Sequence, residues 1–233
     1  MRIESRRLIH IGINFLVSHP PILNQRTQLC FQQELSARGL DFSSVEIGDS
    51  ELRVARRNLP IEILVKAASA QPAIGQLLVI APEPARPLDL FIQEVEEVVR
   101  AFEAVWPAEN RQIVTSDTAL RDLYETTSTH AFQEIWECRL RQDEQSLQKL
   151  GRPVLGGGLR LVMPALPGDP RSPEIEVKIE SYLRDTTKLL IETQLVWRQP
   201  IAAEPGNAFD ARSCLLKADA YAQQQVIDFL ARS

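Results

Sequence analysis

The segment Glu174–Arg198, EIEVKIESYLRDTTKLLIETQLVWR, restricts the possible folds more than any other stretch of the chain. Ile175, Val177 and Ile179 alternate with Glu174, Glu176, Lys178 and Glu180. Further on, Leu189, Ile191, Thr193, Leu195 and Trp197 alternate with Lys188, Glu192, Gln194 and Arg198. A period of two in β-branched and aromatic residues marks strands with one face buried and one face wet. Between the two arms, Arg184-Asp185-Thr186-Thr187 is polar and turn-compatible, so the pair reads as an antiparallel hairpin. One face of that hairpin requires a core, and the other is covered with charge.

The same alternation recurs upstream. Leu8–Val17 places Ile9, Ile11, Ile13, Phe15 and Val17 on one face and His10 on the other, and Ser18-His19-Pro20-Pro21 ends it. Ile22–Arg38 is read as a helix closed by Gly39, which takes the left-handed conformation at low cost. Short strands follow at Ser43–Ile47, Leu52–Arg56, Ile61–Lys66 and Gln76–Ala81, and the proline-rich stretch 82–87 breaks the pattern. In Leu88–Trp106, Phe91, Ile92, Val95, Val98, Val99 and Phe102 recur at steps of three and four, the mark of an amphipathic helix.

After residues 107–110 the order begins again. A strand is expected at Gln112–Thr115, while Asp117–Glu125 fits either a helical turn or a continuing strand. A helix is expected over His130–Leu150, with a very polar middle at Arg141–Gln145 that is either exposed or bent, then a strand over Gly156–Met163 and a loop over Pro164–Pro173. The hairpin follows, then a Pro/Gly link at Pro200–Asn207 and a closing helix over Ala211–Ala231. Each half therefore runs strand, helix, antiparallel strands, helix. The fold class this implies is α+β, with mainly antiparallel sheets and helices on one face. The halves 1–106 and 111–233 are expected to be ferredoxin-like (split βαβ) units related by a pseudo-twofold and packed as one compact unit.

With 233 residues, 44% hydrophobic and 24% charged, the chain has the composition of a globular protein. The net charge of -5 is spread through both halves without a basic stripe, which argues against nucleic acid as partner. The pairs Arg6-Arg7 and Arg56-Arg57 read as solvated strand ends. Cys30, Cys138 and Cys214 are widely spaced, with no CxxC, so neither a zinc site nor a disulfide framework is indicated and a reduced, cytoplasmic setting is expected. The apolar run after Arg6-Arg7 is interrupted by His10, Gly12 and Asn14 and lacks a small-residue cleavage site, unlike a signal peptide. No stretch approaches the length of a membrane span.

Candidate chemistry is sparse. Gly156-Gly157-Gly158 resembles a phosphate-cradling turn in composition, but it runs into a strand rather than a helix and lacks GK[ST] or GxGxxG. It is read as a turn, a bulge or a close backbone approach; the functional reading uses Arg152 and Arg160 as anion donors beside it. His130 and Glu134 lie four apart on a helix, yet HAFQE lacks the second histidine of HExxH, so no metal is expected. No GxSxG elbow occurs. Glu180 and Glu192 on the polar hairpin face, with Lys178, Lys188 and Gln194 nearby, are the remaining polar cluster.

These features lead to the expectation of a non-catalytic cytoplasmic binding or protein-interaction protein, without cofactor, that self-associates as a homodimer. The rival expectation is an enzyme or small-molecule sensor with a polar site in the cleft between the halves. Its ligand-binding candidates are Arg160, Glu180, Glu192 and His130.

Overall fold

The chain was described from a computed structural model covering residues 1–67, 73–84, 86–107, 111–169, 171–198, 201–202 and 209–231. The centre of the molecule is a pair of long strands, β1 (Arg2–Ser18) and β6 (Gln112–Glu125), which run antiparallel through Asn14 opposite Asp117 and Ile11 opposite Leu120. To one side lie β5 (Ile74–Pro82), β4 (Ile61–Lys66), β3 (Glu51–Arg56) and the edge strand β2 (Ser44–Ile47). To the other lie β9 (Lys188–Trp197), β8 (Glu174–Ser181) and the edge strand β7 (Gly158–Met163). Nine strands thus form a single antiparallel sheet, and the two-residue β10 (Ile201–Ala202) adds to the start of β6.

Each flank is a meander whose last strand, β5 or β9, pairs with the first strand of its own part of the chain. A split βαβ unit interleaves its strands instead, so ferredoxin-like halves are not what this order shows. The physical reason lies in the connections. Short links join β2 to β5 successively, as they join β8 to β9, and consecutive antiparallel strands close as hairpins most readily.

The hairpin read from the sequence forms as expected, with Ile179 opposite Ile191 and Val177 opposite Thr193. Its turn is fastened by Asp185, whose carboxylate accepts from the Thr187 N–H (3.1 Å) and hydroxyl (2.6 Å). The ambiguous stretch 117–125 is strand. Its alternation is obscured because Asp122, Leu123 and Tyr124 are all buried beside a register shift between Leu8 and His10. Such a bulge puts consecutive residues out of step with the period of two.

The buried rows of β1, β3–β6, β8 and β9 face the helices. Helix α1 (Gln25–Ala37) begins at a capping box between Asn24 and Thr27, and Gly39 at φ +76° ends it. Helix α2 (Leu88–Val105) packs on α1 and covers β1 and β3–β5. Phe15, Phe31, Phe102, Trp106 and Phe209 form an aromatic cluster between the layers. A second apolar cluster, around Ile135, Val177, Ile179, Ile191 and Leu230, underlies the other flank.

The helix expected over 130–150 bends at its polar middle, and further than expected: it is broken into separate pieces. Helix α3 (Ala131–Gln133) widens into a π-helical stretch, Glu134–Arg139, and a separate α4 covers Glu144–Gln148. Leu140 N–H reaches Ile135 C=O at 3.0 Å, and Arg141 sits at φ +52°, which stops the helix. The buried Glu134 carboxylate, held by the Thr126 hydroxyl, the Thr127 N–H and the Met1 ammonium, anchors the wide turn. The closing helix is likewise three pieces in one run: α5 (Ala211–Tyr221), π-helical Ala222–Val226 and α6 (Ile227–Ala231).

The arginine pairs are not simply solvated. Arg6 donates two hydrogen bonds to the buried Asp122, at 2.9 and 3.2 Å, and one to Asp219 of α5 at 2.8 Å. Arg56 joins Arg86 on Glu94 of α2. Each ties a helix to the sheet through a desolvated ion pair. The boundary residues 108–110 and most of the link at 200–207 lie outside the described residues.

Candidate functional site

Because the described helices occupy one face, the alternate residues of the nine strands form an opposite face with no helix on it among the described residues. The register defines rows across it. One row runs His10, Arg121, Glu192, Lys178, Arg160 from β1 to β7. The next runs Ile80, Gly12, Ala119, Gln194, Glu176, Val162, and a third runs Leu64, Leu78, Asn14, Asp117, Val196, Glu174.

On the β6–β7 side the side chains pair with one another. Arg121 and Lys178 both donate to Glu192, the latter at 2.6 Å; Lys178 also meets Glu176 at 3.2 Å, and Arg160 donates to Glu176 at 2.7 Å. Partial burial works to raise the Glu192 pKa, but the hydrogen bonds and charges of Lys178 and Arg121 outweigh it and hold the carboxylate below its ordinary range. The same contacts raise Lys178, chiefly through Glu192. These groups are held ionised and fully engaged, which suits recognition and solubility better than proton transfer.

At the centre, Gln76 donates to the Asn14 side-chain oxygen Oδ1, and Asn14 Nδ2 donates to Asp117, both at 2.7 Å. Burial raises the Asp117 carboxyl against the opposing effect of the hydrogen bonds from Asn14 and Gln194. His10 is lowered by burial and by the neighbouring Arg121. Asp117 and Arg121 are four residues apart on β6 and His10 lies opposite Arg121 on β1, so the Cα positions of the acid and the histidine are about 14 Å apart, and the register does not pair them for chemistry on one atom.

On the β3–β5 side the open face is mainly apolar. Leu16, Leu64, Leu78 and Ile80 are each half-buried, with Gly12 and Ala119 between them and the central row, and Arg53, Glu62, Lys66 and Gln76 at the border. Gly12 is required here: a Cβ on it would meet Ile80 Cγ2 at 2.9 Å.

Of the residues singled out from sequence, the structure joins Arg160 and Glu192 in the charged ladder through Lys178 and Glu176. Glu180 is exposed one register step away, opposite Leu190 and Gly158. His130 lies elsewhere, as the N-cap of α3, where its Nδ1 accepts from the Gln133 N–H at 3.0 Å. The glycine run is a close backbone approach. A Cβ on Gly157 would meet Phe132 at 2.9 Å, and one on Gly158 would meet the Ile179 carbonyl oxygen at 2.2 Å. Sequence reasoning passed over the hydrogen-bonded chain Gln76–Asn14–Asp117. The signal was the non-apolar set His10, Gly12, Asn14 interleaved in the first strand.

Among the described residues no group of three or more His, Cys, Asp and Glu is placed to hold a metal, and no helix is long and apolar enough to cross a membrane. Fold and face together define an α+β protein built on one antiparallel sheet with a helix-free surface. No protein-family model matches the chain, and no curated protein is similar enough to count as a relative.

Proposed function

We propose that this chain is a non-catalytic binding protein that works through the helix-free face of its sheet, and that its first partner is a second copy of itself. The observation that carries the reading is the division of that face. The apolar patch of Leu16, Leu64, Leu78 and Ile80 has a polar border, the anatomy of an interaction surface, while the adjoining charges satisfy one another. Two sheets meeting face to face at about 10 Å would bury such patches against each other.

The setting proposed is the cytoplasm, where the separated thiols Cys30, Cys138 and Cys214 stay reduced. We also read residues 1–106 and 111–233 as related halves. What supports this is that β1 and β6 pair antiparallel at the centre while each adjoins the last strand of its own meander, the order a pseudo-twofold between them generates. Superposing β1, β5, β4 and β3 on β6, β9, β8 and β7 tests that point; failure to align in order ends it.

The experiment for the function is sedimentation velocity over a hundredfold concentration range, on the protein and on Leu78→Glu. A dimer that dissociates in the variant, with the circular dichroism spectrum retained, is expected. A monomer throughout overturns the reading.

A further inference from the structure

Away from the sheet's open face, α3, the π-helical turn, α4 and the segment 151–154 line a half-open cleft of about 530 Å³. That is within the range of small-molecule sites. Its most organised wall is aromatic. The His130 and Phe132 rings are parallel within 5° with centroids 6.5 Å apart, and Phe132 and Trp136 are within 24° at 5.9 Å. Three near-parallel rings thus stand along one wall, and Leu147, Pro153 and Val154 supply apolar surface around them.

The polar edges of two rings are already engaged. Trp136 Nε1 donates to the Asp143 carbonyl at 3.0 Å, and His130 Nδ1 accepts from Gln133 N–H at 3.0 Å, which leaves the imidazole proton on Nε2. What remains for a ligand is ring surface and the Nε2–H donor. The wall is also fixed in place. Phe132 is 7% exposed and rests against Gly157, where a Cβ would come within 2.9 Å of the ring, so the glycine run is shaped to it. The π-helical turn beginning at Glu134 sets Trp136 relative to Phe132, and such turns recur at functional sites.

Charge at the cleft comes from Glu137 and Arg152. Glu137 is engaged by the Gln133 side-chain amide at 2.9 Å, whereas Arg152 is exposed and has no hydrogen-bond or ion-pair partner among the described residues. A guanidinium recognises carboxylate, sulfonate or phosphate oxygens through paired N–H donors.

We infer that the cleft beside His130, Phe132 and Trp136 is a binding site for a planar aromatic anion, with the ring of the ligand against the aromatic wall and its anionic group on Arg152. The site is independent of the open-face reading and either can fail without the other.

The test uses the three tryptophans. Trp106 and Trp197 are 7% and 5% exposed and sit in the cores, whereas Trp136 is half-buried on the cleft. The ¹⁵N-labelled full chain is titrated with 4-nitrobenzoate, with neutral 4-nitrobenzamide and with non-aromatic cyclohexanecarboxylate, following the three indole N–H signals. The expected result is a saturable shift of the Trp136 signal alone, strongest with 4-nitrobenzoate and absent with cyclohexanecarboxylate. Arg152→Ala, at an exposed position, is expected to weaken 4-nitrobenzoate about tenfold, as loss of a charge-assisted hydrogen bond does, while leaving 4-nitrobenzamide unchanged. No saturable shift at millimolar probe, equal shifts of all three indoles, or an Arg152→Ala variant that binds 4-nitrobenzoate like the parent would each overturn the assignment.

Discussion

Leu78 on β5 and Gln194 on β9 both lie on the open face, one strand out from the central pair, yet they belong to different kinds of surface. On the β5 flank the open face is apolar, and the covered face is sealed by two full helices, with Phe31, Leu35, Val65 and Phe102 at 0% exposure. On the β9 flank the open face carries paired charges. Its core is covered by short and π-helical turns, and Leu159, Leu161 and Met163 of β7 stay half-buried at its margin. The difference teaches that one sheet serves two purposes. The first flank concentrates packing energy and presents an apolar surface; the second is more loosely covered, and its surface charges are engaged with each other.

The largest effect that tests this contrast comes from emptying each core. Phe102→Ala should cost about 3–5 kcal/mol in urea unfolding, by lost transfer and a cavity that rigid neighbours cannot close. Leu161→Ala, at a half-open margin, should cost under about 1.5 kcal/mol. Equal losses would break the comparison. Next is Gly158→Ala, expected to cost about 1–3 kcal/mol because the new methyl meets backbone at Ile179 and Glu180 as well as the Glu180 side chain, and the backbone cannot swing aside. A neutral result would mean that β7 is free to shift.

Smaller effects separate two carboxylates of the same face. The folded pKa of Glu192 lies below its unfolded value, so its stabilisation is present above the ordinary glutamate range and is lost as pH falls through the folded value. Glu192→Gln should therefore lower stability by about 1 kcal/mol at pH 7, given its partly exposed partners, and the difference should vanish in acid. Asp117 has the opposite sign. Its folded pKa is raised, so ionisation disfavours the fold and stability falls as pH rises from the unfolded value through the folded one. Asp117→Asn should raise stability at pH 7 by less than about 1 kcal/mol, an advantage absent at low pH. Urea titrations at several pH values that gave both variants the same slope would contradict the assignment. The smallest effect is local: a carboxyl titration of Asp185 by NMR should give a midpoint of about 2, rising in Lys188→Ala, since hydrogen bonds from Lys188 and Thr187 hold the charge.

The hairpin, the α2 stripe and the closing of α1 at Gly39 were legible because each depends on a local period or a local backbone demand. The break in the 130–150 helix was legible at its polar middle, where Arg141 does stop it, but the π turn over Glu134–Arg139 was not. A π turn costs one extra residue per turn and leaves only a faint trace in apolar spacing, and what holds it, Glu134 against Thr126 and Thr127, is a tertiary contact. Arg6 was misread for a similar reason: its partners Asp122 and Asp219 are 116 and 213 residues away. Arg160 and Glu192 could be placed on one polar face from alternation, but that they share Lys178 and Glu176 depends on strand order, which no local pattern specifies. His130 was noticed for its spacing to Glu134, whereas its position turns on its stacking neighbours.

The place of β1 at the centre of the sheet bears on how the chain is made. Asn14 meets Asp117 only after another 103 residues have been synthesised. At translation speeds of roughly 5–20 residues per second, the β6-facing edge of β1 stays unpaired for about 5–20 s, long after the β2–β5 meander can have closed beside it. An exposed edge bearing Ile11, Ile13 and Phe15 is a template for unwanted pairing between nascent chains. The ribosome-bound intermediate is thus the stage at which this edge of β1 is open to such pairing.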